Sequence, residues 1–323
     1  MAESAEPADA SSGRRPTQWW RWVLGLGILA TMIGVVGPGQ LFETFARIDP
    51  GPAIAVIGLS LVWLGLAGLN VWVLLRPMTP IRLSVFLPVY ATSWAASQLL
   101  PGQLGDATQV LLLRKHGVPA AQSGAAYLVD KAASFAWMSL VALYGVGRYT
   151  PGLSERLDTA RLATFLLAGV VAVGLGIVVA LRLPARDGGL AARLQGLLRH
   201  TLAELGGMRG HPGALALNLS LTLIKWAVMA AMYVGAFRAF GTVIAVEPAA
   251  IVPVMSSLVG YLPITVGGAG TMEITGIYLF GRLGIEAATV LAVYLFFRVE
   301  LLVIALLLAI VGGGPGTGSA RGG

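Results

Sequence analysis

The sequence predicts an all-α polytopic membrane protein of about eight hydrophobic segments, with two inverted repeats that each contain a broken or re-entrant helical hairpin. Three observations carry this reading. Hydrophobic residues make up 56% of the 323 residues and charged residues only 11%, with a mean hydropathy of +0.80; soluble domains carry roughly 25% charged residues. The apolar residues gather into runs of about 20, the length that crosses a bilayer. Two Leu-Pro breaks followed by glycine, at Leu100-Pro101 and Leu262-Pro263, interrupt such runs at corresponding places. The composition excludes a soluble globular enzyme, a disordered chain and a secreted disulfide scaffold.

Residues 1–17, rich in Ala, Ser, Pro and charge, read as a disordered cytoplasmic tail. Arg14, Arg15 and Arg21 flank the first apolar run, Trp19 to Val36. That run is long for a signal-peptide core and no small-x-small site follows it, so it reads as an uncleaved span. Further spans are expected at 52–75, 82–100, 119–147, 160–181, 212–240, 247–266 and 285–311. The apolar pieces 106–115 and 271–281 are too short to cross. At 1.5 Å per residue each covers about half of a 30 Å hydrocarbon core. Leu190, Leu194, Leu197, Leu198, Leu202 and Leu205 share one helical face, which predicts an interfacial helix within a cytoplasmic loop at 182–210. Residues 41–48 are a weaker case of the same kind. The Gly-rich stretch 312–323 reads as a flexible tail.

Basic residues set the topology. The loop after the fifth span holds Arg182, Arg186, Arg193, Arg199 and Arg209 against Asp187 and Glu204, so it belongs on the cytoplasmic side. The N-terminal arginines, Arg76 and Arg82 belong there too. An even number of crossings must then separate Arg82 from Arg182. The spans at 119–147 and 160–181 supply two, so 83–115 enters and leaves on one side. The same parity brings 247–281 in from the opposite side and leaves both termini cytoplasmic. Arg47, Arg148, Arg156, Arg161 and Arg282 fall outside.

The two hairpins also resemble each other in sequence. Pro101 and Pro263 lie 162 residues apart; Gly117-Val118 matches Gly284-Ile285, and Lys131 matches Arg298, both at 167. Repeat 1 is expected at about 82–147 and repeat 2 at about 247–311, within one transmembrane domain, 18–311. Opposed entry makes this an inverted repeat with broken helices, a layout found in many secondary transporters.

The candidate substrate-binding residues follow from the breaks and from charges deep in spans. Pro101, Gly105 and Pro263 break helices where backbone polar groups would otherwise face lipid, which is tolerated only inside protein or at a wet cavity. A helix restarting at that depth offers free N–H groups to an anion, and Gly267, Gly268 and Gly270 allow close backbone approach. Asp106 with Gln109, and Gly270 with Glu273, also have the spacing of helix caps, so capping alone and capping plus a ligand role both stand. Asp130, Lys131, Lys225, Arg298 and Glu300 sit within predicted spans, where an unpaired charge costs roughly 2.5–3.5 kcal/mol. Asp130 and Lys131 point about 100° apart on a helix and need separate partners or water. The cations suit phosphate; the alternative is that these charges neutralise each other and hold helices together. Asn70 and Asn218 read as interhelical hydrogen bonds.

With no cysteine, three scattered histidines and no nucleophile–base motif, the sequence predicts no metal, no cofactor and no enzyme activity. The net charge of +7 comes with 19 Arg and 3 Lys but no basic stripe interleaved with aromatics, so no nucleic-acid partner is expected.

These motifs together resemble the transmembrane family of lysylphosphatidylglycerol synthase/flippases, which includes the flippase half of the multiple peptide resistance factor. The resemblance is carried by Leu100-Pro101 through Gly105-Asp106, Gly117-Val118 and Asp130-Lys131, then by Leu262-Pro263-Ile264, Gly267-Gly268-Ala269-Gly270, Glu273, Gly284-Ile285 and Arg298. It covers about residues 20–311. Gln109 stands where the first motif often has Arg, and Lys131 where Arg is usual. The resemblance implies translocation of an anionic phospholipid or a polyprenyl-phosphate-linked lipid between leaflets of the bacterial cytoplasmic membrane. The 323 residues leave no room for the soluble aminoacyl-transferase domain of a complete synthase. On this reading Lys131, Lys225 and Arg298 hold phosphate, and Asp130, Glu273 and Glu300 organise these cations or take a coupling proton. Two further readings stay open: a secondary transporter of a small polar solute, and a non-transporting membrane partner of a glycosyl- or aminoacyl-transferase. The chain could also self-associate as a homo-oligomer.

Overall fold

The computed structural model describes residues 19–99, 104–150, 190–261, 265 and 268–312. All regular structure among these residues is helical, in eleven α-helices and one 3-10 turn. Four helices are long and apolar enough to cross a bilayer: α3 (Pro50–Leu75), α6 (Ala120–Tyr149), α8 (Pro212–Ala239) and α11 (Ala287–Gly312). The shortest of these, at 26 residues, reaches about 39 Å. Large apolar side chains such as Ile54, Leu61, Leu219, Leu223, Val299 and Leu306 stand exposed on them. An apolar exterior on long helices is what a hydrocarbon solvent selects.

The first run is a bent pair. α1 (Trp19–Val36) ends where Gly37 adopts φ 97°, and Pro38 starts α2 (Pro38–Ala46) at 83° to it. Only glycine takes that φ without strain, and proline fits the first helical position. The weak expectation for 41–48 is thus met by a helix lying across the end of α1. The helix expected at 190–205 is α7 (Leu190–Gly207), which crosses the start of α6, with Gln122 donating to Glu204 at 3.3 Å.

Two expected spans are shorter than predicted. Residues 82–100 and 247–266 form α4 (Leu83–Leu99) and α9 (Val246–Gly260), of 17 and 15 residues. Each packs on its following short helix, α5 (Leu104–Lys115) or α10 (Thr271–Gly281). α9 stops at Gly260 because Gly260 and Gly268 come into backbone contact and close the hairpin tip. Both hairpins therefore have two short arms, which leaves α3, α6, α8 and α11 as the full-length spans among the described residues. The span expected at 160–181 lies outside the described residues.

α3 and α8 run antiparallel along their whole length. Asn218 bonds Asn70 near one end, and the Asp49 N–H donates to the Ala239 carbonyl at 2.8 Å at the other. This pair defines two ends of the molecule. At the Asn70 end one core cluster joins Leu74, Leu75, Phe86, Leu113, Val118 and Met208. Arg76, Arg82, Arg114, Lys115 and Arg209 belong to that end. At the Asp49 end Arg148 pairs with Glu247 at 3.3 Å and Gln40 with Glu286. The α4–α5 hairpin thus opens at the first end and the α9–α10 hairpin at the second. The repeats are inverted in space. Each long repeat helix also packs on the other repeat's first arm, α6 on α9 and α11 on α4.

The repeat is most exact at the turns into the long helices. Gly117 has φ 80° and Gly284 φ 81°. Val118 N–H donates to the Leu113 carbonyl and Ile285 N–H to the Phe280 carbonyl, each at 3.2 Å. These are glycine-terminated Schellman caps of the same form, and α6 and α11 start at residues 120 and 287, again 167 apart. A β-carbon at either glycine meets nothing within 4 Å. Gly117→Ala and Gly284→Ala should therefore cost only the positive-φ strain, about 1 kcal/mol each. Thermal unfolding in detergent should show equal, small losses for the two.

Candidate functional site

The deep charges gather into two centres. The first lies between α3, α6 and α8. Asn218, Thr222 and Lys225 share one face of α8, and all are at least nine-tenths buried. Asn70 Nδ2 of α3 donates to Asp130 Oδ1 and to Thr222 Oγ1, both at 2.8 Å. Asn218 Nδ2 donates to Asp130 Oδ1 at 3.3 Å and to the Asn70 carbonyl at 3.1 Å. Asp130 is thus satisfied by two amides rather than by a cation. Lys225 lies within electrostatic reach of Asp130 and Lys131, and Lys131 turns away to place Nζ 5.1 Å from the centre of the Tyr127 ring. Neither lysine has a carboxylate at ion-pair distance among the described residues.

The second centre joins α10 and α11 at the hairpin tip. The fully buried Glu273 carboxylate accepts from the Gly270 N–H at 2.7 Å and pairs with Arg298 Nε. The capping spacing read from the sequence is realised here, with an ion pair added to it. Gly268 (φ 68°) and Gly270 (φ 83°) both need left-handed backbone. A β-carbon on Gly268 would sit 2.8 Å from Gly260 Cα, and one on Gly270 would strike Ile28 of α1. α1 therefore covers the tip. The side chain of Arg298 remains 30% exposed although its Nε is paired with Glu273. Beside it, Tyr294 donates to Ser256 at 2.9 Å, and Tyr233 of α8 packs on Tyr294 and Phe297.

By repeat offset Lys131 and Arg298 are counterparts, yet among the described residues no hydrogen bond or ion pair joins the two centres. Glu300 belongs to neither: it is 6% exposed, and both of its carboxylate oxygens lack a hydrogen-bond partner. Gln109 is buried with Nε2 unpartnered. Gly105 falls in the first turn of α5. Pro101, Pro263, Gly267 and the side chain of Asp106 lie outside the described residues.

Sequence reading missed four contributors. Thr222 completes the Asp130 network, Ser60 of α3 faces Glu300, and Trp137 with Trp226 helps wall a cavity of about 1120 Å³ between α3, α6, α8 and α9. That cavity is apolar apart from Asp49 and Arg238 at its Asp49 end. Small residues at Ala227, Ala231 and Gly235 were its signal, but such stripes are common in membrane helices.

The lysylphosphatidylglycerol synthase transmembrane-region model matches residues 18–309, nearly the whole chain. The chain belongs to that family. A UPF0104 membrane protein of Methanothermobacter thermautotrophicus is 21% identical over 294 residues, covering 82% of this chain and 85% of that relative. No solved structure matches. As a member of the family, the chain is a multi-helix membrane protein. Among the described residues no group of three or more His, Asp or Glu could hold a metal ion.

Proposed function

We propose that the protein moves a lipid with an anionic head group, an anionic phospholipid or a polyprenyl-phosphate-linked lipid, between the leaflets of a bacterial cytoplasmic membrane, with both termini cytoplasmic and without enzymatic activity. The observation that carries this reading is the placement of Lys131, Lys225 and Arg298. Three cations lie at depth in an apolar helical layer, two without a carboxylate at ion-pair distance among the described residues and the third paired with Glu273 through Nε but still 30% exposed. Unpaired cations at such depth are costly and mark a ligand path. Phosphate would supply the missing counter-charge. Asp130 and Glu273 position the flanking amides and Arg298, so the cations keep their places while the site is empty. The apolar walls beyond, from Ala55 and Leu59 to Val141 and Val234, suit the tails of such a lipid. Family membership supports the reading by analogy of fold.

Native mass spectrometry of the protein purified in mild detergent tests it. The expected result is one anionic lipid class enriched over the bulk membrane and lost in Arg298→Ala. An intact protein with no enriched lipid would move the weight to a small-solute transporter or to a membrane partner of a glycosyl- or aminoacyl-transferase.

A further inference from the structure

Three buried acids lie within the helical layer, and they are not alike. Asp130 accepts from two amides, and Glu273 holds Arg298 and the Gly270 N–H. Glu300 has no ion-pair partner and no hydrogen bond of good geometry. It sits midway along α11, 6% exposed. The polar group beside it is the Ser60 hydroxyl, midway along α3 and 2% exposed, which has no other partner. A carboxyl group without a counter-charge at this depth is suited to holding a proton.

The surroundings agree. α11 packs on α2, α4, α8 and α10. α4 carries no charged residue, and α3 carries none along its length. The charges of α2, Glu43 and Arg47, pair with each other on the surface. On α8, Lys225 answers to Asp130 and Lys131, and Arg238 lies at the far end. On α10, Glu273 is taken by Arg298. Tyr90, Tyr233, Tyr278 and Tyr294 are the remaining titratable groups on these helices. Among the described residues, no charged group lies at ion-pair distance from Glu300.

We infer that Glu300 and Ser60 form a proton-binding site at mid-membrane, and that one proton taken there from water on one side and released on the other accompanies each lipid moved. The carboxyl O–H bond forms and breaks, and no electrons are transferred. This rests on the lipid-translocation reading for the coupling, but not for the protonation itself.

The two are separated by two measurements on the full chain. Infrared spectra of purified protein at about pH 7 should show the C=O stretch of a protonated carboxylic acid that is absent in Glu300→Gln and shifted in Ser60→Ala. Its absence from the wild type would overturn the proton site. In vesicles of phosphatidylcholine and phosphatidylglycerol containing fluorescent phosphatidylglycerol, a one-unit pH difference should bias the final leaflet ratio by up to about tenfold for one proton per lipid. Glu300→Gln should leave that ratio near one. Wild-type translocation indifferent to the pH difference would overturn the coupling. No wild-type translocation at all would count against the lipid reading, while the infrared band would still decide the protonation of Glu300.

Discussion

Glu273→Ala is expected to lower the thermal unfolding midpoint in detergent markedly and to abolish lipid transport. Glu273 is fully buried and does two things at once, closing the N-terminus of α10 through the Gly270 N–H and neutralising Arg298. Removing one partner of a buried ion pair costs about 3–5 kcal/mol, because the other charge is left uncompensated. Losing the cap adds about 1 kcal/mol. Glu273→Gln separates the roles: it keeps an acceptor for Gly270 but removes the charge, so it should recover the cap contribution and not the ion pair. Normal transport in both Glu273→Ala and Arg298→Ala would sink the assignment of this centre to the lipid path.

Gly268→Val should be nearly as damaging, for a different reason. At φ 68° a β-branched residue pays about 1–3 kcal/mol in backbone strain alone. Its β-carbon would also lie 2.8 Å from Gly260 Cα, an atom of the opposing backbone that cannot rotate aside. The hairpin tip would have to open, drawing α9 away from α10 and disturbing the α1 contact at Gly25, whose own β-position lies 3.4 Å from Ala269. Expression and monodispersity in detergent check this directly. Gly281→Val, where a β-carbon meets nothing within 4 Å, is the control and should be well tolerated. A Gly268→Val protein as stable as the control would contradict the tip geometry.

What could be read from the sequence was what local chemistry dictates. Run length picked out the four spanning helices and the short pieces at 106–115 and 271–281, though it read α4 and α9 as spans too, and the Leu-Pro and glycine breaks located both hairpins. The matched caps at Gly117 and Gly284 were visible as a repeated offset. Even Asn70 and Asn218 were legible as interhelical donors, since an amide in a span has few other uses. Partners were harder. That Asp130 would need another helix followed from its angle to Lys131, but nothing in the chain named Asn70 and Asn218 over Arg298. Ser60 carried no signal, because a serine in a span is satisfied by its own helix as readily as by a neighbour. The end of α9 was placed too late, since the apolar character continues past the point where Gly260 and Gly268 come together.

The matched Schellman caps have a mechanical consequence. Each locks the end of a hairpin arm to the start of the following long helix through hydrogen bonds inside a six-residue turn, from Leu113 to Val118 and from Phe280 to Ile285. Such an elbow transmits torque instead of bending. α5 with α6, and α10 with α11, therefore behave as two cranked levers of opposite sense. Because α6 bears on α9 and α11 on α4, tilting one lever loads the first arm of the other hairpin. The interlocking makes a change at one face of the layer mechanically felt at the opposite face, with the antiparallel α3–α8 pair as the fixed frame.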